Sequence, residues 1–192
     1  MTIEKAQAAD TCASGFIANT GAGEQIRATG RYVVECYDRS GNLKWAAQTP
    51  NLVVNVGLQY MAGSALTGTS PITIWYIGLY GSGSTNNPAA GDTMSSHAGW
   101  TEVTAYSESV RQTAQFAAAT NANPSVVTNT SNKAVFSING TTTVGGAFLT
   151  SDDTKGGTSG TLFSAADFGS PGDRSVVSGD ILNVTYTFSL SA

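Results

Sequence analysis

The chain has a single histidine, His97, with Ser95, Ser96 and Asp92 close by in the sequence. Serine, histidine and aspartate act as nucleophile, base and orienting carboxylate when a fold lines them up in hydrogen-bonding order. Here all four share one short stretch, which predicts local turn geometry. No Gly-x-Ser-x-Gly elbow occurs to present a serine. Paired carboxylates suggest a second chemistry, glycoside hydrolysis, which needs two acids facing one bond. The candidates are Asp152-Asp153, Glu102 and Glu108. Asp152-Asp153 lies among Gly, Thr and Ser, the composition of a solvated turn, and polar neighbours predict outward positions for Glu102 and Glu108. Cys12 and Cys36, with one histidine, cannot make a zinc set. Two free thiols are expected, Cys36 as a small core residue. Gly78, Gly81 and Gly83 do not form the dinucleotide fingerprint, and no calcium-loop spacing occurs. Three Trp and seven Tyr could stack on sugars, but their placement at strand positions predicts core. The sequence thus assigns no catalytic residue, no cofactor and no metal, and the chain is expected not to be an enzyme.

The elements that would position these residues are strands. Only 11% of the 192 residues are charged and 22 are glycine, a composition suited to strands and turns and poor for charge-laced helices. A net charge of −4 offers no basic footprint for nucleic acid. No apolar run approaches the ~20 residues of a membrane helix. Residues 1–10 lack the apolar core of a secretory leader. Sequons at Asn129, Asn139 and Asn183 therefore carry no expectation of glycosylation. Residues 31–37 alternate, with Tyr32, Val34 and Cys36 on one face, and a turn at 38–42 leads into a return strand over 43–47. Asn55 is expected to cap a short helix that Gly57 and Gly63 weaken. Residues 72–80 are apolar on both faces, predicting a central strand covered on both sides. Asp92 is expected to cap one helical turn stopped by Gly99. Short strands are predicted at 101–106, 110–117, 133–139, 144–150, 162–163 and 181–190. In the last, Leu182, Val184, Tyr186, Phe188 and Leu190 share a face. About eight short strands with turn signals between them predict an all-β sandwich over residues 31–192. Residues 1–30 hold no period of 2 or 3.6. They are expected to form an extended N-terminal arm lying on a partner or a second copy of the chain, with Phe16, Ile17 and Ile26 as apolar anchors.

Several phrases resemble a family of small tailed-bacteriophage virion proteins: 35–45, with Cys36-Tyr37-Asp38-Arg39-Ser40-Gly41; 51–58; 75–79; 92–102, with Ser96-His97-Ala98-Gly99-Trp100; 146–149; and the ending from 177 to 187. Members are described as capsid decoration, cement or head fibre-like proteins. The resemblance runs from about residue 31 to the end. It implies a jelly-roll-like β-sandwich on the outer face of a shell of HK97-type major capsid protein, assembled in the host cytoplasm and carried on the virion. It further implies a homo-oligomer, dimer or trimer, with no nucleic-acid or membrane partner. A tail or head fibre module that binds host surface glycan is the alternative.

Overall fold

The computed structural model describes residues 26–81, 88–169 and 172–192. Among them the strands are β1 (Arg27–Tyr37), β2 (Leu43–Pro50), β3 (Leu52–Val53), β4 (Tyr76–Gly81), β5 (Thr101–Glu102) and β6 (Gln112–Thr113). They continue with β7 (Ser125–Thr128), β8 (Ala134–Ser137), β9 (Thr142–Val144), β10 (Gly146–Thr150), β11 (Leu162–Asp167), β12 (Arg174–Val176) and β13 (Ile181–Ser191). A helix, α1 (Asn55–Ala62), runs on into a π turn at Gly63–Thr67. One antiparallel sheet has the order β2-β1-β13-β7, with β8 also on β13; a second has the order β3-β11-β10-β4-β5, with β6 on β4; and β9 pairs with β12 in a two-stranded sheet. The protein is an all-β sandwich.

The alternation in β1 and β13 sets the core. Their register pairs Tyr32 with Tyr186, Val34 with Val184 and Cys36 with Leu182, and all six are buried. Facing them from the second sheet are Ile77, Leu79, Ala147, Leu149 and Phe163. A polar bridge crosses this core. The hydroxyls of Tyr32 and Ser164 lie 2.9 Å apart, Ser164 reaches the Tyr186 hydroxyl at 3.3 Å, and Asn51 Nδ2 donates to Tyr186 at 2.9 Å. Such a chain satisfies polar groups that would otherwise be costly to bury. The far side of the second sheet is covered too: Tyr80, Phe148, Leu162 and Ala165 pack with Val54, Met94 and Trp100. β4 is thus central and buried on both faces, as its unbroken apolar run predicts.

Several expectations are corrected. β1 begins at Arg27, inside the stretch assigned to the arm. Arg27–Gly30 pair with 188–191 of β13 at the rim, where no deep core imposes alternation. Only 76–81 of the run from 72 is strand, because Tyr60 draws the preceding segment away by accepting the Ile72 N–H at 2.9 Å. The N-cap of α1 is Val54, not Asn55, and no side chain caps it. The helix forms despite Gly57 because that position lies against the Phe163 carbonyl, where a Cβ would collide. No helical turn follows Asp92: Thr93 and Ser96 form a bridge, and the Asp92 carboxylate accepts from Ala89 N–H and Trp100 Nε1. The predicted strands 101–106 and 110–117 shorten to β5 and β6. The sequence gives no warning of β3, β7 or β12. Leu190 is 36% exposed at the end of β13 and Phe188 is half-buried.

Between β7 and β8, both partners of β13, the side chain of Asn129 takes the place of a strand. It donates to the Val184 carbonyl at 3.1 Å and accepts the Tyr186 N–H at 2.7 Å. Asn129 is therefore buried and fully engaged, whatever its sequon suggests.

Phe188 meets Phe163 edge-on at 5.3 Å between ring centres. Phe188→Asp removes that contact and sets a carboxylate among aromatics, with an expected cost of about 3 kcal/mol or insoluble protein. Thermal melting checks this, and a soluble variant with unchanged melting would remove Phe188 from the interior.

Candidate functional site

Of the four candidate carboxylates, Glu102, Glu108 and Asp152 accept hydrogen bonds from other parts of the fold. Arg111, fully buried, lies between β5 and β6 and the loop 151–160. Its Nε and Nη2 donate to the two oxygens of Glu102 at 2.9 and 2.8 Å. Nη1 donates to the Asp152 carbonyl at 2.8 Å, and Nη2 also donates to the Gly157 carbonyl at 2.7 Å. Glu102 in turn accepts the Gly156 N–H at 2.8 Å. The guanidinium sits 5.3 Å from the centre of the Phe148 ring. A planar fork with several fixed donors suits this bidentate arrangement, which lysine could not reproduce. Lys155, from the same loop, donates to the carbonyls of Tyr106 and Glu108 and lies over the Tyr106 ring. Asp152 accepts the Thr154 N–H, and this bond, with Arg111 nearby, holds its carboxyl below the ordinary range. Both oxygens of Glu108 accept the Ser137 N–H at 3.1 Å. Glu102 is not outward-facing as its neighbours predicted: its side chain is 7% exposed and serves as the arginine's counter-ion. The geometry is a clasp that ties the loop to the second sheet.

His97 stacks on Trp100 with ring centres 4.0 Å apart, and its Nδ1 lies 2.8 Å from the Trp100 carbonyl. A carbonyl only accepts, so Nδ1 carries the hydrogen in this contact. The arrangement lets the ring cover the aromatic layer outside the second sheet. In that turn the hydroxyls of Thr93 and Ser95 lie 3.2 Å apart, and the Ser96 N–H donates to Thr93 Oγ1 at 3.0 Å. Cys36 is a free buried thiol, pushed up to about 11 chiefly by burial and by the adjacent Asp180. Phe16, Ile17 and Cys12 lie outside the described residues, and Ile26, the first of these, is 77% exposed. Among the described residues no group of three or more His, Cys, Asp or Glu is placed to hold a metal ion. None of their helices is long and apolar enough to cross a membrane.

The feature that sequence reasoning missed is an aromatic pocket of about 130 Å³ between the two sheets. β13 supplies Tyr186 and Phe188, β11 supplies Phe163, α1 supplies Tyr60, and the segments beside β4 and β6 supply Trp75 and Phe116. Val127 and Leu149 complete its wall. Trp75 meets Tyr60 at 5.3 Å and Phe163 at 5.4 Å, edge-on in each pair. Tyr60, Trp75, Phe116 and Phe188 are half-buried, so the pocket opens to solvent through aromatic walls. Its residues come from seven separated segments and share no sequence period. Only the number of aromatics near strand ends hinted at it.

Comparison with family models, with curated proteins and with solved structures finds no match to the chain.

Proposed function

We propose that the protein is a structural component of a tailed-bacteriophage virion, a capsid decoration or cement protein that binds the outer surface of an HK97-type major capsid protein lattice. The sequence resemblance across residues 31–192 carries this reading. The clasp supports a binding role over a catalytic one, since Glu102, Glu108 and Arg111 are each bound to other parts of the fold. An arm containing Phe16, Ile17 and Ile26 would reach capsid protein or a second copy, and the protein would act as a dimer or trimer on the virion exterior.

Docking across seams between capsid subunits stabilises the intact shell and not separated subunits, because the ligand binds one state only. Repeated symmetric copies act together, and an oligomeric decorator gains avidity. The test incubates purified protein with shells of the parent phage stripped of decoration, then measures copies per shell and shell melting. Saturation at hundreds of copies with raised melting temperature is expected. A handful of copies confined to one vertex, or binding to host glycan without binding to shells, would replace decoration with a tail or fibre role. Deletion of residues 1–25, which spares β1, is expected to leave the sandwich folded and lower shell occupancy at limiting protein.

A further inference from the structure

A strand at the edge of a sheet presents a row of N–H and C=O groups without partners, and folds blunt or cover such edges to keep other chains from pairing there. In the β2-β1-β13-β7 sheet one edge is covered. Beyond β7, Ala117 and Thr120 donate their N–H groups to the Thr128 and Val126 carbonyls. Beyond β8, the Ser137 carbonyl accepts the Ser107 N–H, and Glu108 accepts the Ser137 N–H. β2 forms the opposite edge, and among the described residues no strand lies outside it.

The register of β2 decides which of its backbone groups face that edge. Asn51 N–H donates to the Gly30 carbonyl at 3.0 Å, and hydrogen-bonded pairs recur at every second residue of an antiparallel ladder. Thr49, Ala47 and Trp45 therefore bond to Tyr32, Val34 and Cys36 of β1. Ala46 and Gln48 turn their N–H and C=O groups outward, where no described group bonds to them, and both residues are exposed. The stretch has defined ends. Lys44 is the extra residue of the bulge opposite Cys36 and Tyr37, and its ammonium pairs with Asp180. Pro50 has no N–H to offer.

We propose that β2 pairs antiparallel with β2 of a second copy, about a two-fold axis at Ala47, so that one sheet runs through both protomers. In this register Ala46 stands opposite the partner's Gln48, and Gln48 opposite the partner's Ala46. Each pair exchanges two backbone bonds, four in all. Between them Ala47 meets the partner's Ala47 at the closely spaced kind of pair, which small side chains suit. The two Lys44 ammonium groups fall at opposite ends of the contact, so no like charges face each other. Moving the axis by one residue in either direction brings the bulge or Pro50 into the bonded stretch. This match of β2 to itself favours a second copy over a strand from another protein. A contact of one strand pair is small for a protein interface, so the dimer should dissociate on dilution. The inference names the contact of a dimer and holds whether or not the protein decorates a shell.

Sedimentation equilibrium of the full chain is expected to show monomer and dimer exchanging with concentration. Ala46→Pro removes an outward N–H, a change that edge strands tolerate, and deletes two of the four bonds. It is expected to weaken association roughly 30-fold, the equivalent of about 1 kcal/mol per bond, with the melting of dilute protein unchanged. A second arm mixes Ala46→Cys chains with Gln48→Cys chains under oxidising conditions, both in a Cys12→Ser background. Disulfide-linked dimer is expected in the mixture, at a yield several-fold above that of either chain alone. Only the pairing of position 46 with position 48 brings Cα atoms within bridging distance. This arm decides the matter if Ala46→Pro fails to fold. A full chain that stays monomeric at every concentration, a closed trimer, or association unchanged in a folded Ala46→Pro protein would overturn the proposal. Equal cross-linking in mixed and unmixed chains would overturn it as well.

Discussion

Replacing Arg111 with methionine is expected to cost about 4 kcal/mol of folding stability. Methionine keeps apolar bulk over the Phe148 ring but removes every guanidinium donor. The Glu102 side chain, 7% exposed, is then a buried carboxylate without its cation. Breaking one partner of a buried pair typically costs 3–5 kcal/mol, more than the pair contributes net, because the remaining charge stays desolvated. The Asp152 and Gly157 carbonyls lose donors at the same time. Arg111→Met with Glu102→Gln separates the two effects. The amide removes the charge and still accepts the Gly156 N–H, so about 2 kcal/mol should return, while the two carbonyls remain unpaired. Urea midpoints at constant slope report both numbers. Equal losses in the single and double variants would show that the carboxylate is not what makes the single variant costly. Loop 151–160 should also open more often, and trypsin should cut after Lys155 faster in Arg111→Met than in the parent.

The sequence reveals elements whose burial is one-sided or complete and hides those held by single contacts. β1 and β13 are legible because Tyr32, Val34, Cys36, Leu182, Val184 and Tyr186 repeat every second residue against one core. The central part of β4 is legible because both its faces are covered. β7 and β12 are only four and three residues long, too short for the alternation around Val127 and Val176 to show as a period. Asn129 is a further case, since an asparagine that substitutes for a strand looks like any turn asparagine until Val184 and Tyr186 are beside it. Arg111 and Glu102 have the same property. They are nine positions apart, and in a low-charge chain each reads as a surface group. Folding brings the loop 151–160 over them and removes both from water. The aromatic pocket is illegible for a related reason: Tyr60, Trp75, Phe116, Phe163 and Phe188 are neighbours only after two sheets and a helix have packed.

Gly146→Ala is expected to destabilise the protein by at least 2 kcal/mol, against the sign that propensity alone would give. Alanine in place of a strand glycine ordinarily stabilises by about 0.5–1 kcal/mol, by narrowing the unfolded ensemble. Gly146 opens β10 between two strands, opposite Tyr80 on β4 and Asp167 on β11. A Cβ there would fall within the contact distance of both the Ala166 carbonyl oxygen and the Tyr80 ring. The carbonyl belongs to the backbone of a paired strand and cannot swing aside. Tyr80 is buried against Trp100 in the outer aromatic layer, so its ring has little room either. Overpacking of this kind costs about 1–3 kcal/mol where side chains yield, and more where backbone must move. Valine at the same position should prevent folding. Gly140→Ala is the matched control: its Cβ would meet only the Ala105 side chain, at an ordinary 3.6 Å, and its stability should stay within about 0.5 kcal/mol of the parent. If Gly146→Ala melted with the control, β10 could not lie as close to β11 and the Tyr80 ring as the register requires.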